Sequence, residues 1–514
     1  MSSSLYGIYT SENSLAISQA AMDVINNNVS NMNTPGYSKQ SVQLSEVSSL
    51  DPTNAAQVGS GAVLDAVTRN RDAYLDNSFR QANASSSYYS EYSTNATQME
   101  NTVNELGDTG GINSSLSTFY NDLSQLAANP SDATIRNTTV QNASTVATTF
   151  NNDATKLQNM RTSLVGDVNN PGTISQSKLS TDINALNSQL SQVASLNQQI
   201  ALSTSQGENP NALLDQRDQA LDTISQYIPI NITTEKNNTV SVSLGSTQLI
   251  NGNTQTGVLS VQQGDANNPS IVQITDNAGN IVFGNAYSAI SSGEIGAILQ
   301  LGGSDPSKLT ISGMLGSLNT LANQFSNAVN TVQANGRYIN NTSTPNQLSN
   351  NTSNPIDATQ NLDPDPQSFF VTSDGSAAIT AGNISVNSAL VKNPGQIAAA
   401  SISSGFNDTG DGSNALLMSQ VQDQSIQALG GITTQGYITN MVGQLGTQSA
   451  NLKNSNDTSS SILQQVTQRR DSVTGVSLDQ ELSDLVMYQK SYEASAKIMT
   501  TMSDNLTTII NMIR

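Results

Sequence analysis

Two segments at opposite ends of the chain carry a narrow apolar stripe with a seven-residue repeat. In the first segment, residues 5–32, the repeat is formed by Ile8, Leu15, Met22 and Val29, with Leu5, Ala21 and Ile25 beside it. In the last segment the spacing alternates between four and three residues, through Leu478, Leu482, Leu485, Tyr492, Ala496, Met499, Leu506, Ile510 and Ile513. A stripe this narrow is typical of a coiled-coil seam rather than of a helix on a globular core.

The C-terminal helix predicted by this pattern needs a partner surface. At 1.5 Å per residue it would be roughly 50 Å long, and each fully buried Leu or Ile contributes only about 1.5–3 kcal/mol. We therefore expect the first and last segments to pair as a hairpin within the subunit and to contact neighbouring copies with their outer faces. In a free monomer such ends would be disordered or self-associating.

Between the two ends the periodicity changes twice. A helical pattern extends from about residue 69 to 228, alternating apolar positions then predict a β-rich insertion, and helices return near residue 309 and again near residue 414. The predicted fold is α+β and multidomain, with terminal helices paired as a coiled coil, a bundle of long helices and a β-rich outer insertion. The predicted domains are a terminal coiled-coil core (1–45 and 475–514), a helical bundle (46–227, 296–337 and 400–474), the β-rich domain (228–295) and a loop-rich lobe (338–399).

Composition excludes many kinds of chemistry. Only 11% of the 514 residues are charged, and the chain has no Cys, His or Trp. Thiolate metal sites, Cys nucleophiles and His-based catalysis are therefore impossible. The net charge of −20 opposes binding to nucleic acid or to anionic lipid, and no apolar run is long enough to span a membrane. We expect no cofactor, no nucleic acid and no membrane insertion.

Two carboxylate-rich stretches resemble sites but are poor candidates. The run that begins at Asn407 has the start of a calcium loop, but its twelfth position is Met418 rather than a bidentate Glu. Asp363 and Asp365 are held in an extended loop by Pro364 and Pro366. We therefore predict no catalytic residue and no metal site, and a protein that is not an enzyme.

The ends of the chain resemble the bacterial flagellar axial proteins, the family of rod, hook and hook-associated proteins. The N-terminal signature is Asn28-Val29-Ser30-Asn31-Met32-Asn33-Thr34-Pro35-Gly36-Tyr37, in which Asn31, Asn33, Thr34, Gly36 and Tyr37 are the motif residues. The C-terminal signature comprises Gly475-Val476-Ser477-Leu478-Asp479-Gln480-Glu481 and the run from Tyr488 to Lys497. Interior motifs, above all Leu213-Leu214-Asp215-Gln216-Arg217-Asp218 and Arg69 with Asp72, Leu75 and Arg80, are similar to those of the hook-associated proteins of the first hook–filament junction.

This resemblance implies a function and a set of partners. It implies a structural adaptor that forms a ring of about eleven copies of itself between hook and filament and allows the filament to assemble. The implied partners are the hook protein, the second junction protein and a flagellar export chaperone at the C-terminal helix. It also implies secretion by the flagellar type III apparatus and an extracellular location. The motif from Leu213 to Asp218 we interpret as a structural helix start with surface or interdomain ion pairs.

Two alternatives stay open at this level. The nearer one is another axial protein, either the second junction protein or the hook subunit, although the helical interior at 69–228 argues against the hook subunit. The other is a secreted adhesin or glycan-binding protein, or a carbohydrate-active enzyme. That alternative predicts paired carboxylates in a pocket of the β-rich lobe and ends that can be deleted without loss of function.

Overall fold

The computed structural model describes residues 2–47, 61–103, 110–340 and 347–513, with the side chains of residues 2–6 and 513 outside the description. Its helices are α1 (Ser2–Asn31), α2 (Ala73–Thr102), α3 (Ile112–Ala128), α4 (Ala133–Val165), α5 (Lys178–Ser205), α6 (Asn211–Tyr227), α7 (Gly293–Gly302), α8 (Ile311–Ala334), α9 (Ser388–Lys392), α10 (Ser413–Ser419), α11 (Thr434–Thr474) and α12 (Leu478–Ile513). The predicted α+β multidomain class is confirmed.

The strands are short and form several small antiparallel sheets. They are β1 (Gln40–Glu46), β2 (Ala62–Arg69), β3 (Asn231–Thr234), β4 (Val240–Leu244), β5 (Thr247–Asn251), β6 (Thr254–Gln255), β7 (Val258–Gln263), β8 (Ser270–Thr275), β9 (Ile281–Phe283), β10 (Gly336–Arg337), β11 (Ile339–Asn340), β12 (Gln347–Leu348), β13 (Phe370–Thr372), β14 (Ile384–Val386) and β15 (Ala400–Ser401). Sheet orders are β3-β4-β5-β6 and β7-β8-β9, and the other strands pair two by two as β1-β2, β10-β15, β11-β12 and β13-β14.

Helix starts follow the capping residues in the sequence. The Asp72 carboxylate accepts hydrogen bonds from the Tyr74 and Leu75 amides and begins α2, and Asp132 does the same for α4. Ser177 caps α5 by accepting from the Ser180 amide. Each cap satisfies amides that have no partner in the first turn, so polar residues before apolar runs fix where these long helices begin.

The helical interior is held by an aromatic cluster. The rings of Phe119 and Phe369 lie 5.5 Å apart, and those of Phe325 and Phe370 lie 5.0 Å apart, all four being almost completely buried. These residues come from α3, from α8, and from Phe369-Phe370 at the start of β13. The loop-rich stretch 338–399 is therefore anchored in the main core by its two phenylalanines.

The predicted β-rich insertion forms two small sheets that lie against α5. The Asn197 side chain donates to the Val240 carbonyl at 2.7 Å and accepts from the Val240 amide at 3.2 Å. The Asn187 side chain bonds the Leu259 backbone in the same two-way manner, at 2.7 and 3.0 Å. One helix thus holds both sheets, and their inward side chains join the helical core.

A buried arginine links the loop-rich stretch to α4. The Arg136 guanidinium donates to the carbonyls of Pro130, Pro394, Gly395 and Ile397, at distances between 2.7 and 3.2 Å. Burial lowers its pKa to about 10. The cation is held by backbone dipoles, so its hydrogen bonds fix the path of residues 394–397 over the end of the bundle.

Candidate functional site: the terminal hairpin and its joint

The ends of the chain pair as one antiparallel hairpin, which we call the terminal hairpin (α1 and α12). A Cβ added at Gly7 would lie 3.1 Å from Met502 Cε, Ser18 Oγ donates to Ser491 Oγ at 3.4 Å, and the Asn28 amide donates to Glu481 at 3.0 Å. Residue numbers rise on one helix as they fall on the other. The predicted pairing of the first and last segments is therefore present in the folded chain.

The face of α1 that meets α12 is made of small and polar residues as well as apolar ones. Its buried members are Ser11, Ser18, Ala21, Ile25 and Asn28. Small side chains permit close approach of the two helices but bury little apolar area, so this interface supplies only a modest hydrophobic contribution.

The residues of the predicted heptads differ in how far they are exposed. Ile8, Leu15, Met22, Val29, Leu485, Met499 and Leu506 are half-buried. Leu478, Leu482, Tyr492 and Ile510 are exposed on the surface. The Leu5 side chain lies outside the described residues. Intramolecular pairing thus uses part of the predicted set, and a contact of the other part with neighbouring subunits stays a prediction.

An exposed apolar stripe remains on α12, which we call the outer stripe. Its members, which share one side of the helix, are Leu478, Leu482, Val486, Tyr492 and Ile510, whereas the exposed Met487, Ile498 and Met512 lie on the opposite side. Leu482 is 49% and Ile510 is 52% exposed. Isolated exposed apolar residues are common on soluble proteins, so five on one side of a single helix predict, rather than establish, a contact with a partner.

The N-terminal signature forms the turn that ends α1. The Thr34 amide donates to the Asn31 carbonyl at 2.9 Å, and the Tyr37 amide donates to the Thr34 carbonyl at 3.1 Å. Gly36 has φ of 80°, a left-handed conformation that favours glycine. Asn33 is exposed at the outside of the turn. Four of the five motif residues therefore shape or stabilise the chain reversal.

Asn28 is the centre of the network that this reversal creates. Its Oδ1 accepts from the Tyr37 hydroxyl at 2.8 Å and from the Gln40 amide at 2.9 Å, while its Nδ2 donates to the Gln40 carbonyl and to Glu481. Lys39 Nζ lies 2.8 Å from the second Glu481 oxygen. Burial, with a further contribution from the carboxylates of Asp215 and Glu481, raises the pKa of Tyr37 to about 12, so its hydroxyl keeps its proton.

Beside this network lies a cluster of buried charges, which we call the joint. It begins at Asp215 on α6, whose carboxylate accepts from Ser38 Oγ at 2.6 Å, from the Ser38 amide at 3.2 Å and from Arg69 Nη1 at 2.7 Å. Arg69 ends β2, and Ser38 precedes β1. The joint therefore fastens the strand pair that follows α1 to the helical interior.

Asp218 is surrounded by arginines from three elements. Its carboxylate lies 2.9 Å from Arg69, 3.4 Å from Arg71, 3.6 Å from Arg80 and 3.7 Å from Arg217. Burial alone would raise its pKa, but the nearby guanidiniums of Arg71, Arg69, Arg217 and Arg80 hold it below the ordinary value. Asp218 is thus a buried carboxylate kept charged by its partners.

Sequence reasoning found the centre of the joint but missed several partners. The motif at Leu213–Asp218 predicts surface or interdomain ion pairs, and the structure places Asp215 and Asp218 in ion pairs with Arg69 and Arg80 in which both carboxylates are buried. No sequence pattern predicted that Ser38, Arg71 and Arg470 would take part in this cluster. Charged residues are rare in this chain, so the arginines close to Asp72 in the sequence were the one available sign of an ion-pair cluster.

Within the described residues, no group of three acidic side chains could hold a metal ion. In the same part of the chain, none of the helices has the length and apolar character needed to cross a membrane. The carboxylate of Asp411, in the stretch resembling a calcium loop, accepts from the Ser401 amide at 2.7 Å and the Ser413 amide at 2.9 Å. It therefore organises the turn before α10.

Three family models match segments of the chain. The model of the flagellar hook-associated protein FlgK helical domain matches residues 96–348. The flagella basal body rod protein model matches residues 8–37, and the flagellar basal body rod FlgEFG protein C-terminal model matches residues 467–512. The two shorter matches cover most of α1 and α12.

Curated relatives and a solved structure agree with these matches. The chain is 28% identical to flagellar hook-associated protein 1 of Bacillus subtilis, over 99% of both chains, and 24% identical to that of Salmonella typhimurium, over 97% of this chain and 98% of the other. The flagellar hook junction protein FlgK from Burkholderia pseudomallei has the same fold, with a TM-score of 0.59 and 19% identity over 77% of this chain and 100% of its own. The chain belongs to the flagellar hook-associated protein 1 family.

Proposed function

We propose that this protein is a structural adaptor of the bacterial flagellum, forming the junction between hook and filament on which the filament assembles. The proposal is supported by the family, by the paired ends and by the helical interior. The terminal hairpin would line the inner wall of a tube, with the helical domain around it. The β-rich segment would face outward from that core.

The observation that carries the proposal is the outer stripe of α12. More large apolar side chains of this helix are exposed than are buried against α1. An amphipathic helix gains most of its stability from packing its apolar face, so the hairpin is completed when a second surface covers this stripe. In a ring, a neighbouring copy of the same hairpin supplies that surface.

The finer partners are proposed on the family resemblance. They are copies of this chain in a ring of about eleven subunits, the hook protein on one side and the second junction protein on the other. Before assembly, an export chaperone would cover the C-terminal helix, whose outer stripe is otherwise in water. Export through the flagellar type III apparatus would place the protein outside the cell.

The two alternatives predict structural features that differ from those of a junction protein. The helical interior from α2 to α6 opposes the hook subunit. The glycan-binding alternative needs paired carboxylates in a pocket of the β-rich segment, but there Asp265 accepts from the Asn267 and Asn268 amides, and Asp276 accepts from the Ala278 and Asn280 amides. These carboxylates shape the turns between strands.

Electron microscopy and a motility assay of a strain that lacks this gene test the proposal. We expect hooks without filaments, filament protein shed into the medium and cells that do not swim. Re-introducing the gene should restore filaments, which controls for effects on neighbouring genes. Normal filaments and normal swimming in the deletion strain would contradict the junction role.

A further inference from the structure

Helix α6 lies between the two ends of the chain and contacts both through carboxylates on one face. Asp215, Asp218 and Asp222 are spaced three and four residues apart, which places them on the same side of the helix. Asp215 and Asp218 meet residues from the N-terminal part of the chain. Asp222 meets a residue from α11, close to where α12 begins.

On the C-terminal side, Arg470 of α11 contacts both α6 and α2. Arg470 Nη1 lies 2.6 Å from Asp222 Oδ2, and its guanidinium lies 3.5 Å from the centre of the Phe79 ring on α2. Arg470 is thus held by a carboxylate and an aromatic face together. The last residue of α11, Thr474, is four positions after Arg470.

A single arginine connects the two halves of the joint. Arg80 Nε donates to Asp222 Oδ1 at 2.8 Å, and its Nη2 lies 3.6 Å from Asp218 Oδ1. The line of contacts therefore runs from Ser38 and Arg69 through Asp215, Asp218, Arg80 and Asp222 to Arg470. It crosses three helices and joins segments more than 400 residues apart in the sequence.

We propose that the joint is an interlock, in which order at the N-terminal segment around Ser38–Gln40 depends on Arg470 being in place, and order at the end of α11 depends on Ser38 and Arg69. The inference rests on the proposed function for its purpose, since both ends must be in place before the terminal hairpin is presented to a neighbour at a fixed angle. Asp215, Asp218 and Asp222 are its positioning residues.

The physical reason is the cost of a half-formed joint. A buried charge that has lost its partner is strongly unfavourable, so removing one member of the joint leaves the remaining buried charges poorly compensated. Partial occupancy is therefore disfavoured, and both ends bind α6 together. Coupling between two sites is reciprocal, so each end must affect the other equally in free-energy terms.

A second route between the two ends could produce coupling without α6. The Lys39 amide donates to the Thr474 carbonyl at 2.8 Å, and Lys39 Nζ pairs with Glu481 at 2.8 Å. A test must therefore perturb the α6 route while leaving Lys39, Thr474 and Glu481 intact. Asp222 meets this requirement, and its side chain is 19% exposed, which makes substitution tolerable.

Hydrogen exchange of the purified full-length monomer, followed by mass spectrometry, measures the coupling. Asp222→Asn keeps the side-chain shape but turns an amide donor toward Arg80 or Arg470. We expect exchange to accelerate roughly tenfold both in peptides spanning β1 and in peptides spanning residues 470–476, the size expected for a lost charge-assisted hydrogen bond. Helices α3 to α5 should exchange as in the wild type.

Asp182→Asn is the matched control, because Asp182 is also a mostly buried carboxylate in an ion pair, 2.9 Å from Lys178, but lies away from the joint. It should leave both end segments unchanged. Acceleration confined to residues 470–476 in the Asp222→Asn variant would overturn the interlock. An absence of protection at both ends in the wild type would overturn it equally.

If Asp222→Asn destabilises the whole chain, two milder variants decide the matter. Ser38→Ala removes the hydroxyl that bonds Asp215 and accepts from Arg71, and Arg470→Gln removes the cation that meets Asp222 and the Phe79 ring. The interlock requires that each accelerates exchange at the opposite end. Effects restricted to the mutated end would refute it, while the junction role, tested separately by the gene deletion, would still stand.

Discussion

At the residue scale, one buried amide connects the two terminal helices to the strand pair. Asn28 uses both its oxygen and its nitrogen, and is 1% exposed. An aspartate would repel Glu481, and an alanine would leave the Gln40 backbone and Tyr37 hydroxyl without partners. The amide therefore has a chemical role here that neither replacement can fill.

We expect Asn28→Ala to destabilise the base of the terminal hairpin by about 1–3 kcal/mol, the usual cost of leaving buried polar groups unpaired. Hydrogen exchange of α1 and β1 peptides measures the loss. Asn26→Ala is the control, because Asn26 is exposed on the same helix. Equal exchange in the two variants would show that the Asn28 network contributes nothing.

The charge state of Asp218 gives the joint a defined acid limit. Because folding lowers the pKa of Asp218, its ionised carboxylate stabilises the folded chain fully above the ordinary pKa of 3.8. This stabilisation is lost as pH falls through the lower pKa of the folded state. Asp76 has the opposite pH dependence. Burial raises its pKa, although Arg71 and Arg80 oppose this, so its contribution to folding stability is lost as pH rises.

We therefore expect the base of the hairpin to stay protected down to about pH 4 and to open at lower pH, where Asp218 binds a proton. Hydrogen exchange of β1 peptides at a series of acidic pH values, corrected for the intrinsic exchange rate, measures the transition. In the Asp218→Asn variant this acid step should disappear. A transition that survives the substitution unchanged would mean that another group controls it.

At the element scale, α12 carries both half-buried and exposed apolar residues. Leu485 and Met499 are half-buried on the hairpin, while Leu482 and Ile510 are exposed on the outer stripe. The sequence predicted the helix, its length class and its partner, because a sustained seven-residue repeat is a strong signal. It could not assign each apolar residue to a face, because apolar residues lie on both sides of the helix.

The sequence pattern also did not predict which residues of α1 meet α12. Ser11, Ser18 and Asn28 lie at the interface with α12, but hydrophobic periodicity does not register polar or small residues. The partners of the joint were missed for a related reason. Ser38, Asp215 and Arg470 are remote in sequence, and only the folded chain brings their side chains into one line.

We expect Leu485→Asp, and likewise Met499→Asp, to abolish incorporation into the flagellum while leaving the helical and β-rich parts folded. A charge introduced on the half-buried face opposes pairing of α1 with α12, but touches none of the aromatic core. Immunoblots of isolated hook–basal bodies measure incorporation, and circular dichroism checks the fold. Retained incorporation with either change would remove the argument from the heptads.

At the scale of the whole molecule, the fold places both chain ends on one side and ties them to the interior through few charges. The interior has a well-packed aromatic core, whereas the terminal hairpin has a thin, partly polar interface and an outer stripe in water. This contrast fits a subunit whose body folds alone and whose ends are completed by neighbours. We propose that assembly with neighbouring copies covers this exposed apolar surface.

The central claim is that the outer stripe is an assembly surface, and one comparison tests it most directly. A strain lacking the gene is complemented with Leu482→Asp, or with Leu417→Asp as the control, since Leu417 on α10 is 55% exposed and Leu482 is 49% exposed. Electron microscopy should show filaments with the control and bare hooks with Leu482→Asp, at equal protein levels. Normal filaments with Leu482→Asp would contradict the account.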